Sequence, residues 1–296
     1  MRSSQSGRRL DHAGGGSVSE RTAVQNAELA LLLEVAGTPK PGNVDRERDF
    51  DDLRFEHFLA GAVGARPGLE LAADGGPVGY AFERAVEGMA DQSAGNTQFG
   101  ALLVLCPLVA ATNEGDLTPS GVDSVVRDTT VADAADFYRA FEHVDVAVDD
   151  PPEGMKPLDV RHGSDAVPTL RERDLTLFDI MRQSGGVDGV AAEWTNRFER
   201  VFAAGEAILD DSGSAPDRAS RVFLDLLAND VDTFVVTRNS RETAEEVQRR
   251  AQAVLDGEED ATELAAELVA RDVNPGTTAD LTAGALFVAL ERGLVV

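Results

Sequence analysis

Apolar residues recur at three- and four-residue spacing along nearly the whole chain, and alternating apolar–polar runs are scarce. The spacing predicts helices almost throughout. A first helix covers residues 20–36 and is apolar over most of its surface in AELALLLEVA; Gly37, Pro39, Pro41 and Gly42 stop it. A second covers LRFEHFLAGAVGA. A third, over 78–90, sets Phe82, Ala85, Val86 and Met89 on one face. TQFGALLVLCPLVAAT is almost wholly apolar, which predicts a central helix, with Pro107 expected to kink it.

TPSGVDSVVRD and TVADAADFYRAFEHV read as two further helices that open on Ser or Thr caps. Residues 145–174 carry Pro151, Pro152, Pro157 and Pro168 and break the pattern, so they read as a functional or surface loop. Helical spacing resumes in TLFDIMRQS and in DGVAAEWTNRFERVFAAGEAIL, read as one helix. It continues in APDRASRVFLDLLAN, SRETAEEVQRRAQAVLDG, ATELAAELVARD and TTADLTAGALFVALERG. DTFVVTRNS is the one β-prone patch; its Asp232 and Arg238 either line a site or start a helix. No fixed-period repeat occurs. The expectation is an all-α fold, a single multi-helix domain over residues 20–296 with a buried central helix, preceded by a disordered Gly/Ser tail over 1–19.

Charge narrows the function classes. The chain has 53 acidic and 27 basic residues, a formal net charge of −26, which repels nucleic acid and anionic membranes. Only Lys40 and Lys156 are lysines, leaving 25 arginines, and aromatics are 5%. This composition reads as halophilic, with concentrated counterions screening the self-repulsion. The single cysteine, Cys106, sits in an apolar run and excludes an intramolecular disulfide framework. No apolar run reaches the ~18 residues of a membrane span, and the N-terminus has no apolar h-region, so a cytoplasmic protein is expected.

If helices carry the structure, chemistry belongs at their ends, and three corners combine Gly or Pro with polar groups. In TPKPGNVD two prolines stiffen a loop that presents Lys40, Asn43 and Asp45, a set suited to a polyphosphate and a divalent cation, or simply to a solvated helix stop. In SAGNTQFG, Gly95, Asn96 and Thr97 precede the central helix, either as a cap or as an anion site at its N-terminus. In NPGTTADL, Pro275 and Gly276 turn the chain, Thr277 or Thr278 caps a helix, and Asp280 falls in its first turn. The four histidines form no H-E-x-x-H pattern, and no P-loop, Rossmann turn or G-x-S-x-G is present.

Together the corners resemble the triphosphoribosyl-dephospho-CoA synthases. Their hallmark segments match EVAGTPKPGNVD from Glu34, AGNTQFG from Ala94 and NPGTTADL from Asn274, with Asp232–Thr233 and VDGVAAEW around Asp188 in the expected order. The likeness spans about residues 24–293. It implies an all-α enzyme in which a hydroxyl of dephospho-CoA attacks the ribose C1 of ATP, releasing adenine and retaining the triphosphate. By that resemblance Asp280 or Glu34 is the base, and Lys40, Asn43, Gly95, Asn96, Thr97, Gly276 and Thr277 hold phosphate. Asp45 and Asp188 hold Mg²⁺. ATP and dephospho-CoA, or a related cofactor acceptor, are the implied partners, and a homo-oligomer stays open. Three positions depart from the pattern: Gln98 and Phe99 stand where members tied to citrate lyase carry His and a basic residue, and Val187 stands where an arginine is common. Transfer to a different acceptor on the same site, and a non-catalytic helical scaffold or ligand sensor, are the competing readings.

Overall fold

The computed structural model describes residues 21–151 and 154–296; the expected N-terminal tail, His12 and Pro152 lie outside them. The described chain is helical, with no β-strand among these residues. The helices are α1 (Ala23–Ala36), α2 (Phe55–Gly64), α3 (Arg66–Ala73), α4 (Val78–Met89), α5 (Phe99–Asn113), α6 (Pro119–Arg127), α7 (Val131–Ala140) and α8 (Val167–Glu172). They continue as α9 (Leu177–Ser184), α10 (Gly189–Thr195), α11 (Glu199–Asp210), α12 (Ala215–Asn229), α13 (Thr233–Arg238), α14 (Arg241–Leu255), α15 (Ala261–Ala270) and α16 (Gly276–Glu291). None is long and apolar enough to cross a membrane.

Two helices form the centre rather than the one expected. Helix α5 is buried from Ala101 to Ala111, and α16 is buried from Leu281 to Leu290. They pack on each other, with α1 and α11 covering α16 and α3 and α4 covering α5. A helix apolar on every face must be enclosed on every face. Such enclosure puts both N-termini, where polar backbone groups are exposed, at the wall of an internal space. Helix α5 runs through Pro107 without interruption.

The ends follow local chemistry. Thr22 Oγ accepts from the Gln25 N–H at 3.2 Å while the Gln25 side chain accepts from the Thr22 N–H at 2.9 Å, a reciprocal cap that starts α1. Thr130 and Thr176 cap α7 and α9 in the same way, and Thr118 caps α6 by accepting from the Gly121 N–H without a reciprocal bond. Helix α3 was not expected; Pro67 sits in its first turn, where its missing N–H costs nothing.

One reading is corrected. The segment 188–209 is two helices, because Arg197 and Phe198 adopt left-handed φ values of 62° and 57°. The turn sends the Phe198 ring into the core beside Trp194, at 6.5 Å between centroids, so burial outweighs the local cost. In the β-prone patch DTFVVTRNS, Asp232 starts a helix, one of its two readings. Asp232 Oδ1 accepts from the Val235 N–H at 3.0 Å and starts α13, a cap that overrides β propensity. The irregular segment after α7 contains two short 3₁₀ turns and α8.

Candidate active site

The three corners meet. Gly42, at φ 76°, brings the first corner so close to Val273 and Pro275 of the third that a Cβ there would overlap both. Asn43 Nδ2 donates to Asn274 Oδ1 at 2.9 Å across the same contact. The third corner is tied to α13: Thr278 donates to Asp232 Oδ2 through its N–H at 2.8 Å and its hydroxyl at 2.7 Å. Thr233 Oγ and Thr277 Oγ lie 3.0 Å apart, and the Gly189 N–H donates to Thr233 Oγ at 2.9 Å. The start of α10, with Asp188 as its cap, is thereby fixed to the same point.

These corners form the polar end of a cavity of about 410 Å³. Glu34, Asp188 and Asp280 line it, together with Asn43, Asn96 and Thr97. Gly276 and Thr277 complete that end. Its other side is mainly apolar, built by Phe99, by α7 and α9, and by residues 146–151, Met155 and 158–160, with Asp149, Asp150 and Asp159 among these residues. Among the described residues, no Lys, Arg or His lines the cavity.

Asp280 sits at the meeting point of α16 and α5. The Ala101 N–H, in the first turn of α5, donates to its carboxylate. Gly100 leaves room for it, since a Cβ at Gly100 would overlap the carboxylate's Cγ and Oδ2. Burial pushes the Asp280 carboxyl well above the usual carboxylate range, and the neighbouring Glu34, Asp232 and Asp188 push it further. Glu34, Asp188 and Asp232 are each raised by burial as well, opposed by Lys40 for Glu34, by the Ala191 and Val190 N–H groups for Asp188, and by Thr278 for Asp232. Four acids thus share one enclosed region. Substituting Gly100 by Ala is expected to displace the Asp280 carboxylate and cut turnover by at least tenfold, with the helical circular-dichroism signal intact. Unchanged turnover in that variant would remove Asp280 from the chemistry.

Other sequence candidates stand elsewhere. Lys40 is fully buried outside the cavity. Its Nζ is bonded to Glu34 Oε1 and lies 3.1 Å from Asn43 Oδ1 and 5.8 Å from the Phe223 ring centroid. It therefore faces the back of two cavity residues, where the sequence had suggested phosphate. Asp45, expected as a metal ligand, is also fully buried and outside the lining; its oxygens accept from Thr38 Oγ at 2.9 Å, Arg48 at 3.1 Å and the Glu47 N–H at 2.8 Å. Those bonds hold the Pro-rich loop in shape and occupy the carboxylate. Gly95 forms a left-handed turn at φ 72° and does not line the cavity. Asn96 Oδ1 accepts from the Phe99 N–H at 3.2 Å, a capping bond, and the Thr97 hydroxyl is buried against Gly61 of α2.

Several contributors carried no sequence signal. Glu193 is buried and raised by burial, opposed by Arg200, whose Nε donates to it at 2.7 Å while Nη2 donates to the Gly189 carbonyl at 2.8 Å. This pair braces the turn that bears Asp188. Asp149, in the irregular segment, raises Asp188 by its charge and accepts from Thr237 Oγ at 2.9 Å. Only the proline content of 145–174 pointed to that segment.

Comparison with known proteins agrees with the geometry. The model of the CitG family, ATP:dephospho-CoA triphosphoribosyl transferase, matches residues 20–295. The crystal structure of an Archaeoglobus fulgidus protein assigned to the triphosphoribosyl-dephospho-CoA synthases superposes with a TM-score of 0.67 at 26% identity, covering 81% of this chain and 99% of that one. No curated protein matches the chain.

Proposed function

The chain belongs to the ATP:dephospho-CoA triphosphoribosyl transferase family, and from that premise we propose how its own residues carry the reaction. The enzyme moves the triphosphoribosyl group of ATP to dephospho-CoA and releases adenine. The C1–N bond to adenine breaks, the base leaves with its electron pair, and a C1–O bond forms to the acceptor hydroxyl. The observation that carries the assignment is the acid-lined, cation-free polar end of the cavity with Asp280 at its floor.

Asp280 is the base that takes the hydroxyl proton. A carboxylate with a raised pKa is a stronger base than an ordinary one. Glu34, held by Lys40, and Asp188 face the sugar as it gains positive character, as carboxylates do in glycoside cleavage. Asn43, Asn96 and Thr277 supply neutral polar contacts to the ribose and phosphates.

The triphosphate needs its charge offset before it can approach these acids. We take Mg²⁺ for this, carried in with the triphosphate and not held in a cage of protein ligands. A cation that binds through phosphate oxygens and one or two carboxylates needs no such cage. Asp188 is the residue placed to reach it, with Asp149 beside it. The ion would supply charge neutralisation along the triphosphate. An ATP-using, strongly acidic enzyme of this kind works in the cytoplasm and at high salt.

The test is adenine release, followed by chromatography, from ATP and Mg²⁺ in high salt with and without dephospho-CoA. Release that requires both dephospho-CoA and the metal is expected. Release that survives complete chelation removes the metal from the scheme, and no release with the acceptor present removes the reaction.

A further inference from the structure

The apolar end of the cavity has no work in the chemistry just described. Phe99, Phe137, Phe141, Met155, Ile180 and Met181 line it, and it is continuous with the acidic end. Phe99 begins α5 and directly precedes Gly100, the residue that Asp280 packs against. The reacting sugar therefore lies within reach of both ends. A triphosphate gains nothing from an apolar wall and would lose its hydration there. The adenine of ATP must stay beside C1 until the bond breaks, which places it with the acids.

One wall has a second property. Val146, Ala147 and Val148 line the cavity, and among the described residues their backbone N–H and C=O groups have no hydrogen-bond partner in the protein. These residues are half-buried, so their peptide groups are open to pairing with a ligand. The wall is nonetheless fixed in place. Tyr138 Oη donates to the Leu158 carbonyl at 2.7 Å, and Thr237 Oγ donates to Asp149 at 2.9 Å. Arg161 bridges Asp150 at 2.7 Å and Asp159 at 2.9 Å. A pinned segment that offers free peptide groups beside apolar side chains suits a ligand that alternates amides with hydrocarbon.

We propose that this end is the subsite for the pantetheine arm of the acceptor, with the peptide groups of residues 146–148 pairing its two amides and the Phe and Met side chains covering its methylenes and methyls. The inference rests on the transferase reading above. Methionines adapt their shape to a flexible chain, and both Met155 and Met181 line this end. An acidic or aqueous subsite would have no use for Phe99 at the mouth of α5.

The experiment uses adenine release with two acceptors: dephospho-CoA, and ADP, which is its nucleotide half without the arm. Val148 is half-buried on the wall and away from the core, whereas Met155 packs against the core's edge, so Val148→Asp is expected to melt close to the wild type and Met155→Asp somewhat below it. Both variants are expected to raise KM for dephospho-CoA at least tenfold, with KM for ATP and for ADP as acceptor within twofold. Pantetheine alone is expected to compete with dephospho-CoA in the wild type and not in Met155→Asp, a reading that holds even if ADP is a poor acceptor. A rise in KM for ATP with dephospho-CoA unaffected would put the ATP base in this end and overturn the proposal. So would variants that change neither KM, or a wild type that pantetheine does not inhibit. A wild type that releases no adenine with dephospho-CoA fails differently: it takes down the reaction, and this subsite with it.

Discussion

Replacing Asp280 with Asn is expected to lower kcat/KM by about 10²–10⁴, the usual contribution of a positioned base, and at the same time to raise the melting temperature at neutral pH. The two effects have one cause. The carboxyl is buried among Glu34, Asp232 and Asp188, which raise its pKa well above the ordinary value of 3.8. A group whose folded pKa lies above its unfolded one contributes its stability at low pH and loses it as pH rises through the folded value. Wild-type stability should therefore decline upward from about pH 4, and Asn, which keeps an acceptor for the Ala101 N–H, should flatten that limb. The same titration appears in activity with the opposite sign: kcat/KM rises through it, because the base works only when deprotonated. Paired pH profiles of melting and turnover check this. A less stable variant that kept its activity would sink the assignment of Asp280 as base.

Function and stability are opposed at this position. Gathering four acids in one enclosed region is costly wherever catalysis does not require it. The N–H groups of α5 and α16 that might have met phosphate are engaged instead with Asp280 and Asp232. The helix ends thus hold carboxylates in place, and the triphosphate is left to bring its own counter-ion.

Helix positions were legible wherever a local rule decides them. Thr22 with Gln25, Thr130 with Asp133 and Thr176 with Asp179 each declare a start within four residues of sequence. The break at Arg197–Phe198 was not legible, since apolar spacing runs straight through it and the turn exists only because a pocket beside Trp194 takes the ring. The corners were visible as clusters of Gly, Pro and polar residues, but their meeting depends on the Gly42–Val273 approach, which spans most of the chain. Phe137 and Phe141 of the α7 region show only apolar spacing, and spacing does not say whether an apolar face meets protein or a cavity. Direction is the other gap. TPKPGNVD fixes that Lys40 is held rigidly, and only the packing of α1 against α12 and the loop decides that it points to Glu34.

Lys40 carries the second large expectation. Lys40→Met should destabilise the fold by about 3–5 kcal/mol, the usual cost of removing one partner from a buried ion pair, or on the order of 10 °C in Tm. The residue left behind decides the pH dependence. Glu34 is raised by burial and lowered by Lys40, so without Lys40 its pKa rises further. The variant should then be nearest to wild type at low pH, where Glu34 is protonated, and fall away as pH rises through the Glu34 value. Lys40→Met combined with Glu34→Gln should recover most of the stability and none of the turnover. Lys40→Arg keeps the charge but must fit a planar guanidinium into a fully buried space between Glu34, Asn43 and Phe223, and should lose both. A lysine that met phosphate directly would behave otherwise: its removal would raise KM for ATP and leave Tm alone. Thermal melts across pH, read beside KM for ATP, therefore distinguish a lysine that contacts the substrate from one that sets the acid that does.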